Sequence, residues 1–401
     1  LGIREQITTN TKGKTLLGNI RTATKRLALV GGAIIVAVTT AAVPMASASA
    51  NSCSSANGYK VTGSNAANIC AGIKFYSGKT VTFVAADSPG GGFDQNARAY
   101  APFLAKYLGA TVNVLNVPAG NTVAGMNYVA AMNDSANPGL TVGWLNVGPI
   151  VEDKVLNIPG VQFNAAGEAM LGGTAPNLTV TAAYKSAACA EYDTGFAGLL
   201  ANNSASHPVS EPIQTSGSTT FNELIMDGVF GIHYHAIPGY ASSTALLSGW
   251  VRGDGCIITD PVSTLGSYFA SGVAVPLLVN IPLQTTNEYY KELVGVPTYV
   301  QAEKKYAKYI VNKTQKAAVA VLNLSGETQR VFFVAPKTPK IEQAALRAAF
   351  QWASYNANLK KVLQSEGAPT GYTTGAVCKS SYLAYLTDTS KVKQYLTQAL
   401  G

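Results

Sequence analysis

Charge is scarce in this 401-residue chain: 12% of its residues are Asp, Glu, Lys or Arg, against 47% that are hydrophobic. Such a chain buries a large core, which excludes a disordered polymer held open by its own charges, and its length suits two domains. Histidine numbers only three, so a metal centre built on imidazoles has few ligands to draw on. The five cysteines, at 53, 70, 189, 256 and 378, come no closer than seventeen residues, which excludes the close pairs of a zinc knuckle. No Gly-x-Ser-x-Gly elbow marks a serine hydrolase, and no glycine-rich loop ends in Gly-Lys-Ser/Thr as a nucleotide-binding loop does. Paired glycosidase carboxylates are not excluded by spacing, but no motif fixes such a pair.

The net charge of +8 invites a nucleic-acid reading that its distribution opposes. Residues 1–50 carry six basic residues and one acid, which leaves +3 for the remainder. Residues 107–290 hold three basic residues against twelve acids, and 291–401 hold fifteen against six. No run interleaves clustered Arg and Lys with aromatics as a phosphate-tracking groove needs, so no nucleic-acid partner is expected.

Lys25 and Arg26, the apolar stretch 27–43, Pro44 and the small residues of 45–50 follow the order of a secretory signal. Residues 1–50 are therefore expected to be a signal peptide, and 51–77 a linker or extension. A permanent anchor is the competing reading, and a 17-residue apolar stretch is near the lower limit of a span. An odd cysteine count in an exported chain needs an explanation. Cys53, after the small Ser52, could become the lipid-bearing first residue of a lipoprotein attached to the outer surface of a membrane. The alternatives are a periplasmic or secreted protein cleaved after Ala50, with Cys53 free or bonded to Cys70.

Two stretches carry chemistry. Val81, Phe83 and Ala85 alternate as in a strand, Pro89-Gly90-Gly91-Gly92 turns the chain, and Phe93, Ala97, Tyr100, Phe103, Leu104, Tyr107 and Leu108 recur at helical steps up to Gly109. Three glycines between a strand end and a helix start let backbone N–H groups point at a ligand, so Gly90 to Asp94, with Phe93 between, form a candidate anion seat. Asp94 in the first turn either caps helix amides or receives a ligand amine or hydroxyl, with Arg98 as its ion-pair partner. Residues 111–132 repeat the pattern, from an alternating strand through Pro118-Ala119-Gly120-Asn121 into a small-residue helix, and a third strand at 140–144 leads to Asn146 and Gly148. Repeated strand, loop and helix describe an open α/β domain with its sites beyond the carboxyl ends of the strands.

These residues resemble the solute receptors of tripartite tricarboxylate transporters. The resemblance rests on Pro89 to Asp94, Ala97-Arg98 and Asn116-Val117-Pro118-Ala119-Gly120, with Asn121 where Gly is usual. It continues through Gly173 to Pro176, Ser216-Gly217-Ser218, Ala236 to Tyr240, Ala270 to Gly272, Val296 to Thr298, Ala335 to Pro339 and Gly367 to Pro369, and covers roughly residues 78–375. It implies a two-lobed α/β fold of the type II periplasmic-binding-protein kind, with a hinge and a ligand cleft between the lobes. Lobe one would hold 78–176 and 280–401, and lobe two 177–279.

The resemblance also implies intralobe disulfides Cys189–Cys256 and Cys70–Cys378. The ligand carboxylate would rest on backbone N–H groups of Gly90, Gly91, Gly92, Phe93 and Asp94 and of Ala119, Gly120 and Asn121. Thr174, Ser216, Ser218 and Asp260 would read its distal end, with capping as the other role of Asp260 before Pro261. A monomeric, non-enzymatic receptor without cofactor is expected, serving the membrane subunits of a transporter. His233 and His235 would face one side of a strand, where a metal lacks a third ligand fixed by any motif. The other classes weighed are a secreted or surface-attached hydrolase and a surface adhesion protein.

Overall fold

The computed structural model describes residues 52–393 and 397, apart from 121, 158, 177, 215–225, 227, 281–291, 311 and 327–328. Cys53–Ser54 (β1) pairs antiparallel with Lys60–Val61 (β2), and Ala66–Tyr76 (α1) follows. This segment is no linker. Helix α1 lies against the helix that carries Ile341 and Ala345, so closely that a Cβ at Gly72 would stand 2.6 Å from the Ala345 methyl.

Three strand-helix units come next: Thr80–Ala85 (β3) and Gly92–Leu108 (α2), Thr111–Asn116 (β4) and Val123–Ala131 (α3), Thr141–Asn146 (β5) and Val147–Leu156 (α4). Helix α2 stops where Gly109 adopts φ 66°, a left-handed turn that glycine enters without strain. Strand β3 runs parallel to both β4 and β5, so the loops after all three strands leave one edge of the sheet.

After Ala169–Pro176 (β6) the chain runs through Thr179–Tyr184 (β7), Phe196–Ala201 (α5), Val209–Gln214 (β8), Tyr234–Tyr240 (β9), Ser243–Arg252 (α6), Ile257–Pro261 (β10), Val262–Ala270 (α7) and Ala274–Val279 (β11), which build a three-stranded and a two-stranded sheet. Strand β7 is the centre of an antiparallel trio with β10 and β11, and the parallel pair β8 and β9 docks beside it through Cys256 N–H donating to Ser210 O at 2.8 Å. The return passes through Tyr299–Lys305 (α8), opened by a Thr298–Gln301 capping box, and Lys313–Gly326 (α9). Gln329–Val334 (β12) inserts antiparallel between β5 and β6, before Lys340–Tyr355 (α10), Ala357–Ser365 (α11), Thr373–Thr374 (β13) and Gly375–Lys391 (α12). The large sheet reads β13-β6-β12-β5-β3-β4.

Period-two alternation sorts the core. Phe83, Trp144 and Phe332 project to one face, where they meet Tyr100 and Phe350, with Trp144 4.4 Å from Phe332. Val84, Leu145, Val331 and Phe333 project to the other, under α3, α4, α9 and α12. A third core of Val180, Trp250, Ile258 and Leu265 underlies the second sheet. Helices α8 and α9, expected with lobe one, are shared: Tyr306 stands 5.4 Å from Phe196 of α5, and Gln315 Nε2 donates to Val229 O at 3.1 Å.

Cys189 bonds Cys256, and Cys53 bonds Cys70. Two expectations are thereby corrected. The Cys70–Cys378 bridge does not form, because Cys70 packs with the core on one face of the large sheet and Cys378 with the core on the other. The Cys53–Cys70 bond uses the sulfur that lipidation of Cys53 would need and matches the alternative in which Cys53 is bonded to Cys70. Cys378 is the odd thiol, buried, with burial pushing its pKa up to about 12. Peptide mapping without reduction should recover the 53–70 and 189–256 links, with Cys378 alkylated only after unfolding; a 70–378 peptide would refute the pairing. Removing Cys189–Cys256, which spans 67 residues, should destabilise by about 4 kcal/mol, against about 3 kcal/mol for Cys53–Cys70, which spans 17.

Candidate functional site

The ends of β3, β4 and β5, the start of β12 and the end of β6 lie along one edge of the large sheet. The two glycine-bearing loops meet there: a Cβ at Gly125, in the first turn of α3, would stand 2.8 Å from Ala86 Cα and 3.2 Å from Val117 O. Both loops therefore share one side of one lobe, as a common ligand requires.

The first loop is organised around carboxylates of its own. Asp94, nearly fully buried, accepts from Gly90 N–H at 2.8 Å, Asn116 Nδ2 at 2.9 Å and Arg98 Nε at 2.9 Å. Burial alone would raise this carboxyl, but the bonds from Arg98, Gly90 and Asn116 outweigh it and hold the pKa below the usual range. Asn116 also donates to Asp87 O at 3.0 Å and accepts from Arg98 Nη2 at 3.0 Å, which ties α2 to the end of β4. The structure thus uses Asp94 and the Gly90 N–H as a tie within the chain.

Asp87 fills the seat itself. Its carboxylate accepts from Ser88 N–H at 2.8 Å and from Phe93 N–H at 3.4 Å, at the N-terminus of α2 where an anion is favoured. Burial raises its pKa against those amides and Arg330. Gly91 is required for this arrangement, because a Cβ there would collide with the Asp87 carboxyl group. Gly91→Val should expel Asp87 and destabilise the protein by about 2 kcal/mol, the worth of hydrogen bonds to a charged group. In a double-mutant cycle with Asp87→Ala, urea denaturation should show that most of this loss disappears.

The second loop is strained. Ala119 has φ 130°, Thr122 φ 75° and Gly120 φ 55°, and a non-glycine residue held at positive φ is a recurrent mark of a functional loop. The Thr122 hydroxyl is buried with no hydrogen-bond partner among the described residues. Asn121, Ser216 and Ser218 lie outside the described residues.

Arg330 is the group the sequence analysis missed. It opens β12 opposite Asn146, and the bulge in the β12–β6 register sets it against Thr174 and Ala175. Its Nη1 donates to Gly92 O at 3.1 Å, and its guanidinium carbon lies 4.3 Å from the centre of the Phe93 ring. Thr174 is buried beside it, its hydroxyl donating to Ala175 O at 2.9 Å. Burial pulls the Arg330 pKa down to about 10 against Asp87 and Asp260, which leaves it cationic at neutral pH. The signal was available: Arg330 precedes Phe332 and Val334 at period two, so the alternation places a cation in an inward register.

Asp260 ends β10 and brings the second sheet to this edge. It is fully buried, the Thr264 and Ser243 hydroxyls approach its carboxyl group, and its charge is felt by both Arg330 and Asp87. Burial pushes its pKa up to about 7, with the Thr264 and Ser243 hydroxyls and Arg330 opposing and Asp87 reinforcing. The structure therefore brings Asp260, Thr174 and the 90–94 loop together around Arg330. His235 on β9 and His233 just before it are both exposed, and among the described residues no group of three or more His, Cys, Asp or Glu could hold a metal. None of the described helices is long and apolar enough to cross a membrane.

The arrangement defines a class of fold. Solved structures place it among two-lobed α/β proteins of the type II periplasmic-binding-protein kind. MatC from Rhodopseudomonas palustris with bound malate is 14% identical, over 79% of this chain and 99% of that one, with a TM-score of 0.62. Rpa4515 of R. palustris with adipate is 19% identical over 80% and 97%, also at 0.62, and the periplasmic binding protein BugD is 15% identical over 80% and 99%, at 0.63. No protein-family model matches the chain, and no curated protein matches it in sequence.

Proposed function

We propose that this protein is an exported solute receptor that captures a small carboxylate where its two sheets face each other and presents it to the membrane subunits of a tripartite transporter. It turns over no substrate. The observation that carries the reading is Arg330, a buried cation at the shared strand edge, beside two loops whose backbones approach each other. The malate and adipate held by MatC and Rpa4515 supply the ligand class. In this reading, residues 78–176 and 280–401 form one lobe and 177–279 the other, and binding shifts the population toward a closed form. The ligand carboxylate meets Arg330 and the amides of the 119–122 loop, while Asp87 remains on the amides of α2. Thermal unfolding against succinate, malate, adipate, citrate and aromatic acids tests it. A ligand at a hundred times its Kd stabilises the native state by about 2.7 kcal/mol, a shift of several degrees. A panel without any shift would sink the reading.

A further inference from the structure

The fifteen basic residues of 291–401 are a charge feature that the cleft leaves unexplained, and they are unevenly placed. Residues 304–316 hold five of them, Lys304, Lys305, Lys308, Lys313 and Lys316, and no acid. All five are exposed, and none makes a salt bridge among the described residues. The segment has an inner and an outer side: Ala302, Ile310, Gln315 and Val319 are buried where α8, the turn after it and α9 rest on the protein, so the lysines share the outer side. Tyr306 and Tyr309 pack against the core, with Tyr306 5.4 Å from Phe196, so they form no stacking platform for bases.

Helix stability does not account for the cluster. Lys304 and Lys305 close α8, where the helix dipole favours cations, but Lys313 and Lys316 open α9, where it disfavours them. Like charges gathered on one face repel, so the arrangement is relieved only by an anion from outside. Lysine supplies all five charges. An arginine fork suits carboxylates or phosphates held at fixed places, whereas flexible point charges suit a surface of mobile anions. An anionic bilayer is such a surface, and each lysine beside one multiplies partitioning by about five. Residues 107–290, with three basic residues against twelve acids, are repelled by the same surface, so the charge asymmetry favours one orientation. We propose that the 304–316 face of α8 and α9 seats the protein on an anionic phospholipid surface, with the lysines among the headgroups and no chain inserted. This attachment needs no lipid on Cys53, and it goes beyond the receptor reading because it does not depend on what the cleft holds.

Co-sedimentation of the protein, as exported, with phospholipid vesicles tests this at about 0.1 M salt. It should follow vesicles that contain phosphatidylglycerol, stay in solution with pure phosphatidylcholine, and be released at about 1 M salt, where charges are screened beyond about 3 Å. Lys304→Gln, Lys305→Gln and Lys308→Gln together should weaken association about a hundredfold, three factors of about five. Lys74→Gln, Lys106→Gln and Lys361→Gln together, exposed lysines of other helices, remove the same net charge and should change it by no more than about twofold. Both triple variants keep residues 1–50, so any contribution of that segment cancels in the comparison. Equal weakening by the two overturns the proposal, because net charge alone then explains the binding. So does association that the first triple variant leaves intact, equal association with phosphatidylcholine, or none with phosphatidylglycerol. Retention on immobilised polyglutamate without any vesicle binding assigns the face to an acidic protein and overturns it too.

Discussion

Arg330→Met should weaken carboxylate binding at least a hundredfold and also destabilise the empty protein, because Asp87 and Asp260 lose the cation that offsets them. The guanidinium is a buried cation at the strand edge that carries both loops, and hydrogen bonds to a charged group contribute about 1.5–3 kcal/mol each. Losing a two-pronged contact of that kind accounts for a hundredfold change, about 2.8 kcal/mol. Methionine fills similar volume, but removing one member of a buried set of charges leaves the others uncompensated, which costs about 3–5 kcal/mol. Calorimetric titration and thermal unfolding of the same variant therefore separate binding from folding. Arg330→Lys should fall between, since it keeps the charge but loses the planar fork. Unchanged affinity in Arg330→Met would put the carboxylate somewhere else.

Where the pattern was local, the sequence was enough. The alternation of Val81, Phe83 and Ala85, the helical steps from Phe93 to Leu108 and the stop at Gly109 correspond residue by residue to β3 and α2. Quantities that depend on which face of a sheet a residue reaches were not legible. Cys70 and Cys378 lie in separate cores because helices cover both faces of the large sheet, and no spacing argument contains that information. Residues 51–77 read as a linker because β1 and β2 are two residues each and the Gly72 contact with α10 pairs positions far apart in sequence.

The anion seat illustrates the limit best. Three glycines before a helix correctly marked a place that favours negative charge, but the same local chemistry attracts the nearest carboxylate in the chain, and Asp87 is five residues upstream of Gly92. Only tertiary structure decides whether such a seat stays open to a solute. The cation that does face the site comes from β12, more than two hundred residues later, and Asp260 from the other sheet.

Asp260→Asn should stabilise the empty protein above pH 7 by as much as about 4 kcal/mol, by less than half of that at pH 5, and hardly at all below pH 4. The folded pKa of Asp260, about 7, lies above its ordinary value of 3.8. The native state therefore holds the proton more tightly than the unfolded chain, and the stability this proton provides, complete below pH 4, is lost as pH rises to 7. The causes are burial first and the Asp87 charge second, opposed by Thr264, Ser243 and Arg330. Asparagine fits the same volume and cannot ionise, so its curve lacks that decline. Glu168, raised to about 7 by burial, titrates in the same window in both proteins and cancels in the difference. Urea denaturation at pH 5, 6.5 and 8 measures it, and parallel curves for the two proteins would contradict the assignment. A binding site that keeps an unsatisfied charge sacrifices stability in the empty state.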